Sequence, residues 1–422
     1  MDGNPEVLII GCGPGGSTAA TFLAKAGRRV LVLEKETFPR FHVGESLLPY
    51  NRPLFEEMGV WPALAAAGFQ RKFGAQFHLT NASKWTRFTF RNGPFTRHTE
   101  AIQVERARFD HLLMQHARQV GAEVREGWQV TRFDTGADGV RVEARDPGGA
   151  TRQLRASLLI DASGRANLTG TQRKLRRVHP NHRKVAVYGH FTGVHLAVDE
   201  SRGDTFIARG EDHWFWMIPV SSEKTSVGLV LDTRKVGRDR EAAEVFRQHV
   251  AASRLMRERL AEARVAGEIK TTSDFSYFND RLAEPRVLRV GDAAGFMDPI
   301  FSAGVFLAMW SGKLAALASL ETLAQGGAGD RIFARYERRV QRAMRVYWRM
   351  VEHYYTTPFM ELFLEPRHGL QVPAAVVAVL AGELEPPWHV RWRLEVFYLL
   401  LRIQKRRPLV PRLSFAEMED TP

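Results

Sequence analysis

A glycine-rich turn near the start of the chain has the spacing of a phosphate-binding loop. Gly11, Gly13 and Gly16 form the pattern G-x-G-x-x-G between an apolar strand-like run and a helix-like stretch. Glycine at these places permits a tight turn, close approach of the backbone to a pyrophosphate, and close packing of helix on strand, with the phosphates at the helix N-terminus. Glu34 ends the next strand-like run, where a carboxylate would bind an adenosine ribose. These residues predict a dinucleotide site.

Two further groups have residue types that could carry chemistry, and each has a plain structural alternative. Trp214 and Trp216 alternate on a strand-like run, so both indoles point to one face, where they could simply pack in a core. Lys72 stands next to Arg71, and such charges are more often solvated. Of the two cations, only lysine can become a neutral amine, because a guanidinium stays protonated. The residue types alone leave both interpretations open.

The elements that must position these residues alternate along the chain. Residues 7–10 and 30–33 are apolar runs on either side of the helix-like stretch 17–26, a β-α-β arrangement whose strands are usually parallel. Residues 75–95 and 185–231 are strand-like, with alternating bulky side chains. These segments predict two sheets between which the chain passes.

The rest of the chain is predicted to be mainly helical. Residues 106–120 form a helix between the strand-rich blocks, and from residue 302 onward the pattern is helical, with a basic, aromatic-rich helix at 331–355. The predicted fold class is therefore α/β, with a Rossmann-like domain interleaved with a β-sheet substrate domain, plus a C-terminal helical region.

Composition narrows the cellular context. The 422 residues are 44% hydrophobic, enough for a sizeable core, and carry a formal net charge of +13. That charge fits nucleic acid, membrane headgroups or an acidic partner. The arginine-rich stretch 331–349 is more simply a solvated face, and no nucleic-acid motif accompanies it, so no nucleic-acid partner is expected. Cys12 is the only cysteine, so neither a disulfide within the chain nor a zinc spacing occurs, and no metal site is expected.

The start of the chain and its apolar runs predict a cytoplasmic protein. The first residues lack the basic start and the cleavage site of a secretory signal. The longest apolar run, 372–381, falls well short of the ~20 residues that a membrane-spanning helix needs. Contact with a membrane is expected to be peripheral at most.

Two later segments resemble motifs of FAD-dependent proteins. VLRVGDAA at 287–294 resembles the second FAD motif, and LLIDASGR at 158–165 resembles the strand and turn that return the chain to the FAD domain. No second G-x-G-x-x-G for a nicotinamide cofactor occurs in the sequence, so FAD is favoured over NAD. The resemblance implies an FAD-binding domain at 1–78, 100–165 and 280–330, a substrate-binding sheet domain at 79–99 and 166–279, and a C-terminal helical region at 331–422.

Four stretches together resemble the flavin-dependent halogenases of the aromatic-hydroxylase superfamily, over about the first 320 residues. They are FPRFHVGESLLP at 38–49, GFQRKFGAQF at 68–77, WFWMIP at 214–219 and FMDPIFSAG at 296–304. The first is similar to the segment beside the isoalloxazine, and the second to the segment with the halogenases' active lysine. The third matches W-x-W-x-I-P, between flavin and substrate pocket. The fourth resembles F-x-x-P-x-x-S-x-G, where backbone amides hold halide.

This resemblance implies roles for particular residues. Lys72 would be catalytic, and Arg108 is an alternative to Arg106 near the flavin, whereas His42 is expected to be structural. Halide would be bound by Ser302, Ala303 and Gly304. The substrate channel would be formed by Trp214, Trp216, Ile218 and Pro219. FAD would be bound by Gly11, Gly13, Gly16, Glu34, Arg40, Val43, Gly44, Glu45, Ser46, Arg106, Asp292, Pro299 and Gly304.

The implied reaction is halogenation of an electron-rich aromatic compound in secondary metabolism. A separate flavin reductase would supply reduced FAD, which with oxygen would form a flavin hydroperoxide that oxidises chloride or bromide to hypohalous acid. Lys72 would direct this oxidant to the ring, through a hydrogen bond or as a haloamine. Tryptophan halogenases have a glutamate where this chain has Phe301. A phenol, a pyrrole or an aromatic group on an acidic carrier protein is therefore favoured over free tryptophan.

Two related activities stay open as alternatives. An aromatic hydroxylase of the same superfamily would transfer oxygen directly to the ring, although the W-x-W-x-I-P stretch speaks against it. A polyprenyl reductase, a flavoprotein that works at membranes, would fit the basic C-terminal helices. Dependence on halide separates the predicted activity from both.

Overall fold

A computed structural model describes residues 4–179, 183–235, 241–273, 276–366 and 369–416. The strands are β1 (Val7–Ile10), β2 (Val30–Glu34), β3 (Gln70–Lys72), β4 (Gly74–Leu79), β5 (Trp85–Thr89), β6 (Ala101–Gln103), β7 (Glu123–Glu126), β8 (Gln129–Gly136), β9 (Gly139–Arg145), β10 (Thr151–Ala156), β11 (Leu158–Asp161), β12 (Arg176–Val178), β13 (Lys184–Thr192), β14 (Thr205–Arg209), β15 (His213–Pro219), β16 (Thr225–Asp232), β17 (Arg264–Val265), β18 (Lys270–Ser273), β19 (Tyr277–Asn279), β20 (Ala283–Glu284), β21 (Val287–Arg289) and β22 (Gly295–Phe296). The helices are α1 (Pro14–Lys25), α2 (Asn51–Met58), α3 (Trp61–Ala66), α4 (Arg106–Gln119), α5 (Leu168–Gln172), α6 (Ala242–Ala252), α7 (Arg254–Arg259), α8 (Gly304–Gln325), α9 (Asp330–Tyr354), α10 (Thr357–Leu364), α11 (Val372–Ala381) and α12 (Trp388–Arg406).

One six-stranded sheet carries the glycine-rich turn. Its order is β20-β21-β11-β1-β2-β7, and all neighbours except β20 and β21 run parallel. β1, β2 and β11 are buried along their whole length, as expected for strands of a parallel sheet that is covered on both faces. Helix α1 packs against α8 and α4 on this sheet. The β-α-β unit predicted from the sequence is confirmed.

A second, eight-stranded sheet holds the tryptophans. Its order is β17-β13-β16-β15-β14-β4-β5, with β18 added beside β13. The neighbours from β13 to β15 are antiparallel, whereas β14 and β4 run parallel. The proposed domain boundary between residues 78 and 79 falls within β4, which belongs to this sheet. The two strand-rich blocks of the sequence thus meet in one sheet.

The C-terminal helices pack against one another: α9 against α8, and α10 and α11 against α12. The predicted basic helix at 331–355 is α9, whose arginines at 331, 335, 338, 339, 342 and 345 are exposed on one side. The opposite side of α9 is buried, as an amphipathic helix requires. Residues 367–368 and 417–422 of the predicted helical region lie outside the described residues. Among the helices that are described, none is long and apolar enough to cross a membrane.

Candidate active site

A cavity of about 730 Å³ follows the carboxyl ends of the parallel strands and is lined by the predicted cofactor residues other than Gly16. We call it the FAD cleft. Its walls include Gly11, Gly13, Glu34, Arg40, Val43, Gly44, Glu45, Ser46, Arg106, Asp292, Pro299 and Gly304. Its size lies within the range of about 300–1,000 Å³ that cofactor and ligand sites occupy.

The glycine-rich turn fits a dinucleotide because side chains would obstruct it. Gly11 has a φ of +90°, and a Cβ there would lie 2.5 Å from the carbonyl oxygen of Ala162. A Cβ on Gly16 would lie 2.0 Å from the carbonyl oxygen of Gly11, so only glycine allows the helix to start this close to the strand. Gly13 precedes α1, and a Cβ there would lie 3.5 Å from a guanidinium nitrogen of Arg40. The turn therefore leaves its backbone open to the cleft.

Glu34 is held in place by the same turn. The carboxylate is 4% exposed, and its oxygens accept hydrogen bonds from the amides of Cys12 at 2.7 Å and Glu36 at 3.0 Å. Both bonds fix the side chain at the rim of the cleft, where it was predicted to bind a ribose.

The segment around residues 42–46 is attached to helix α4 by a buried arginine. Arg106, the first residue of α4, forms two hydrogen bonds with Asp110, at 2.7 and 2.8 Å. Its remaining nitrogen donates to the carbonyl of Val43 at 2.8 Å, and Gly44 has a φ of +105° beside it. Arg108, the alternative to Arg106, is exposed. Arg106 therefore orients the backbone that lines the cleft.

Two other members of this segment make buried contacts with the eight-stranded sheet. The carboxylate of Glu45 lies 2.5 Å from Nε2 of His190 on β13. The hydroxyl of Ser46 lies 2.7 Å from that of Thr205 on β14. Next to them, the Nδ1 atom of His42 lies 2.7 Å from the carbonyl oxygen of Val43. Burial and, to a smaller degree, the nearby Arg106 charge lower the pKa of His42 to about 4.

The predicted halide segment is a turn into a helix. Residues Pro299–Phe301 form a single 3-10 turn, Ser302 has a φ of +56°, and Gly304 begins α8. A Cβ on Gly304 would meet no atom within 4 Å, so the backbone there faces open space in the cleft. Successive amides at a helix start can hold an anion without a charged side chain. Halide binding by this segment stays a prediction.

A buried chain of hydrogen bonds connects the halide segment with the tryptophans. The indole of Trp214 donates to the Tyr355 hydroxyl at 2.9 Å, and this hydroxyl donates to Asp298 at 2.5 Å. Asp298 also accepts from the amide of Ile300 at 3.1 Å, which caps the 3-10 turn. Burial raises the pKa of Asp298, and the bond from Tyr355 opposes that shift. Strand β15, the halide segment and the end of α9 are thereby joined.

The tryptophans lie where the sequence places them, on one face of β15. Their ring centroids are 5.8 Å apart, and the indole of Trp216 donates to Ser226 at 3.1 Å while lying over Gly228. Trp214, Trp216 and Ile218 line the FAD cleft, and Pro219, which ends the strand, is not among the described residues that line it. Both tryptophans are nearly fully buried, so they also pack in the core.

Lys72 is buried although its neighbour is not. Its side chain is 2% exposed, while Arg71 points outward and pairs with Glu100. The Lys72 amine donates to the hydroxyl of Ser46 at 2.8 Å and to the carbonyl of Leu47 at 3.1 Å. Burial lowers the pKa of Lys72 to about 7, although the charge of Asp204 opposes this shift. A lysine with this pKa exchanges between ammonium and amine near neutral pH.

A second, much smaller cavity of about 20 Å³ adjoins the Lys72 amine. We call it the lysine cavity. Its other walls are mostly apolar: Leu48, Ala75, Phe77, Phe88, Phe90, Thr205, Ile207, Ile300, Phe301, Ser302, Val377 and Leu380. Thr205, Ile207, Phe301 and Ser302 also line the FAD cleft, so they form the wall between the two cavities.

Sequence reasoning missed part of this wall. Phe88 and Phe90 belong to the strand-like block 75–95 of the sequence, but Val377 and Leu380 come from helix α11, to which the sequence analysis assigns no role in the site. Only the length of the apolar run at 372–381 signals that this helix is buried.

Comparison with known proteins gives consistent matches. Residues 4–353 match the FAD binding domain family. A tryptophan 2-halogenase of Chondromyces crocatus is 34% identical over 336 residues, which cover 77% of this chain and 63% of that protein. The flavin-dependent halogenase otaD of Aspergillus carbonarius is 33% identical over 344 residues, which cover 76% of this chain and 68% of that protein. The chain spans 63–64% of the length of two of the curated relatives it matches.

Two further matches extend over nearly the whole chain. The 1H-pyrrole-2-carbonyl-(peptidyl-carrier protein) chlorinase of Pseudomonas fluorescens is 29% identical over 397 residues, which cover 88% of each chain. The solved structure of the flavin-dependent brominase Bmp2 has a TM-score of 0.85 and 25% identity, and the match covers 94% of this chain and 99% of the brominase.

Proposed function

Because the chain belongs to the flavin-dependent halogenases within the FAD binding domain family, we propose that it halogenates an electron-rich aromatic ring with reduced FAD, oxygen and chloride or bromide. The observation that carries this proposal is the buried Lys72 amine, separated from the FAD cleft by one layer of side chains. Burying a lysine that forms no ion pair with any described residue is costly, and ionisable groups perturbed in this way are concentrated at functional sites.

The residues of the cleft would hold FAD in an extended form. The turn at Gly11–Gly16 would bind the pyrophosphate, Glu34 the ribose, and the segment 42–46 with residues 299–304 would border the isoalloxazine. When bound and reduced, FAD supplies the electrons with which oxygen is activated to oxidise halide. The backbone amides of Ser302, Ala303 and Gly304 would hold the halide beside that centre.

Lys72 would receive the oxidised halogen as hypohalous acid and present it to the ring. Its neutral amine can bond covalently to halogen, and its ammonium can donate a hydrogen bond to the oxidant. Both forms are available near neutral pH, because the pKa of Lys72 is lowered to about 7. The oxidant would have to pass the wall of Thr205, Ile207 and Phe301.

The walls of the lysine cavity favour a neutral aromatic substrate. Apart from Lys72, its polar members are the hydroxyls of Thr205 and Ser302, and no carboxylate lines it among the described residues. A volume of about 20 Å³ holds one or two water molecules but no ring, so substrate binding would require the side chains of Phe301, Val377 or Leu380 to shift. A phenol or a pyrrole is electron-rich enough to react without an acidic side chain at the position of Phe301.

We further propose two partners and a role for each of the three regions of the chain. A separate flavin reductase would supply reduced FAD. The relative from Pseudomonas fluorescens is named for a pyrrole carried on a peptidyl-carrier protein, and the net charge of +13 would favour an acidic carrier here too. Residues 1–78, 100–165 and 280–330 would bind FAD, residues 79–99 and 166–279 would bind substrate, and residues 331–422 would cover the site.

The proposal is tested by incubating the protein with FAD, a flavin reductase, NADH and bromide or chloride, together with a panel of phenols, pyrroles and indoles, free and carrier-bound. Products are read by mass spectrometry, in which bromine and chlorine have distinct isotope patterns. Halogenated product that depends on added halide is expected. Oxygenated product formed without halide would make the protein a hydroxylase instead.

A further inference from the structure

Among the described residues, the Lys72 amine has one hydrogen-bond partner that can pass on a proton. Its two hydrogen-bond partners are the Ser46 hydroxyl at 2.8 Å and the Leu47 carbonyl at 3.1 Å. A carbonyl accepts a hydrogen bond but has no proton to pass on, whereas a hydroxyl can accept one proton and release another. Since the lysine is 2% exposed, its amine has little direct contact with bulk water.

The hydroxyl of Ser46 continues to a second hydroxyl. The Thr205 oxygen lies 2.7 Å from it, and the side-chain amide of Gln103 donates to the same Thr205 oxygen at 3.2 Å. That amide also donates to the carbonyl of Gly203 at 3.0 Å, which fixes its orientation. When Ser46 donates to Thr205, Thr205 accepts two hydrogen bonds, and its own proton must point elsewhere.

The chain of hydroxyls spans the wall between the two cavities. Ser46 lines the FAD cleft, Lys72 lines the lysine cavity, and Thr205 lines both. All three side chains are at most 4% exposed. Asp204 is the nearby carboxylate, but its bonded partner is Arg87, at 2.7 Å, and no hydrogen bond joins it to Lys72.

We propose that the hydroxyls of Ser46 and Thr205 form a proton relay between the Lys72 amine and water in the FAD cleft. The relay rests on the proposed function, because it serves the change of protonation that Lys72 undergoes when it handles hypohalous acid. Ser46 and Thr205 are positioning residues in this account, since they act through Lys72.

Each route open to Lys72 needs one proton to leave the nitrogen and one to return. In the first, the ammonium loses a proton through the relay, the amine reacts with hypohalous acid to give a haloamine and water, and the ring exchanges its hydrogen for the halogen, which restores the amine. In the second, the ammonium protonates the departing hydroxide of hypohalous acid to give water, while the ring takes the halogen and releases its proton. A proton returned through Thr205 and Ser46 restores the ammonium in both.

The relay can be tested in the protein without FAD. Lysine labelled with carbon-13 and nitrogen-15 allows the exchange rate of the Lys72 amine hydrogens to be read from the deuterium isotope shift on Cε, with the signal assigned by its loss in Lys72→Met. We expect Thr205→Val and Ser46→Ala to slow this exchange by on the order of tenfold or more. Thr205→Ser retains the hydroxyl and should retain the exchange rate. Thr225→Val, another buried threonine of the same sheet, is the matched control.

A single-turnover halogenation assay links the exchange to the reaction. The rates for wild type, Thr205→Ser and Thr205→Val should follow the order of their exchange rates. If Thr205→Val exchanges its Lys72 amine hydrogens at the wild-type rate, the relay is overturned. If Thr205→Val does not fold, a wild-type exchange rate in Ser46→Ala would overturn it. Exchange that depends on Thr205 in a protein without halogenated product would instead overturn the proposed function while leaving the proton path intact.

Discussion

The FAD cleft and the lysine cavity differ in size, in lining and in origin. The cleft measures about 730 Å³ and is lined by residues from most parts of the chain, among them the glycine-rich turn, β15 and α9. The lysine cavity measures about 20 Å³ and is lined mostly by apolar side chains from six separate parts of the chain, among them β3, β4, β14 and α11. The cleft thus contains one part that forms locally, the glycine-rich turn, whereas every wall of the lysine cavity depends on the packing of separate parts of the chain.

This difference determines what each region can do. Backbone amides and glycines bind a phosphate group with little dependence on distant residues. A buried amine, by contrast, owes its lowered pKa to the apolar side chains packed around it, and so to the whole tertiary structure. Mutations in the cleft should therefore affect cofactor binding, and mutations around the lysine cavity should affect the fate of the oxidant.

The largest expected effect is a loss of FAD binding in the cleft. A Cβ on Gly16 would lie 2.0 Å from the carbonyl oxygen of Gly11, so Gly16→Ala must separate helix α1 from strand β1. We expect FAD binding to weaken at least about a thousandfold, equivalent to about 4 kcal/mol. Titration of flavin absorbance measures this. Gly136→Ala, where the nearest atom is 4.0 Å away, is the control, and equal affinities for both variants would contradict the assignment.

The next effect concerns the hydrogen bonds that join strand β15 to the halide segment. Tyr355→Phe removes the hydroxyl that joins Trp214 to Asp298, and leaves a buried indole N–H and a carboxylate oxygen each without that bond. We expect a loss of about 2–3 kcal/mol in the free energy of unfolding. Denaturant unfolding measures it. Tyr354→Phe is a close control, because the buried hydroxyl of Tyr354 has no hydrogen-bond partner among the described residues. Similar losses of unfolding free energy in both variants would show that the hydrogen bonds of Tyr355 do not stabilise the protein.

A third prediction concerns the pH dependence that Lys72 gives to stability. Its pKa is about 7 in the folded protein and about 10.4 when unfolded, so the unfolded chain binds more protons between these values. The cost of burying the ammonium is therefore fully present below about pH 7 and is relieved as the pH rises. Relative to Lys72→Met, the wild type should gain about 1.4 kcal/mol of unfolding free energy per pH unit from pH 7 to 9.

Urea unfolding at several pH values provides this measurement. Lys405→Met, which removes an exposed lysine of α12, controls for the loss of a lysine as such. A difference between wild type and Lys72→Met that stays constant with pH would contradict the burial of the Lys72 charge.

The smallest expected effect is on substrate preference, and it tests whether the lysine cavity holds the aromatic ring. Val377→Ala removes two methyl groups from its wall and should favour larger aromatic substrates over smaller ones by roughly fivefold to tenfold in kcat/KM. Val379→Ala, in the same buried helix but outside the described lining, is the matched control. Identical substrate preferences in the two variants would show that the ring binds outside the lysine cavity.

Sequence predicts a region well when its residues are close together in the chain, and poorly when they come from distant parts of it. The spacing of Gly11, Gly13 and Gly16 is local, so it predicted both the turn and the strands around it. The surroundings of Lys72 are not local: its bond to Ser46 joins residues 26 positions apart, and the bond from Ser46 to Thr205 joins residues 159 positions apart. No periodicity encodes such pairs, and Val377 reaches the cavity only through the packing of α11. The burial of Lys72 could be inferred from family resemblance but not from residue type, since its neighbour Arg71 is exposed.

The transfer of the halogen by Lys72 from the FAD cleft to the ring is tested most directly by Lys72→Ala. The variant is supplied with reduced FAD, oxygen, bromide and the aromatic substrate, together with a diffusible scavenger of hypobromous acid, and Arg71→Ala serves as the matched control. Brominated substrate should fall at least about a hundredfold in Lys72→Ala, while bromide oxidation continues and appears in the scavenger. Brominated substrate at the wild-type level would contradict the claim, and loss of bromide oxidation itself would move Lys72 to an earlier step.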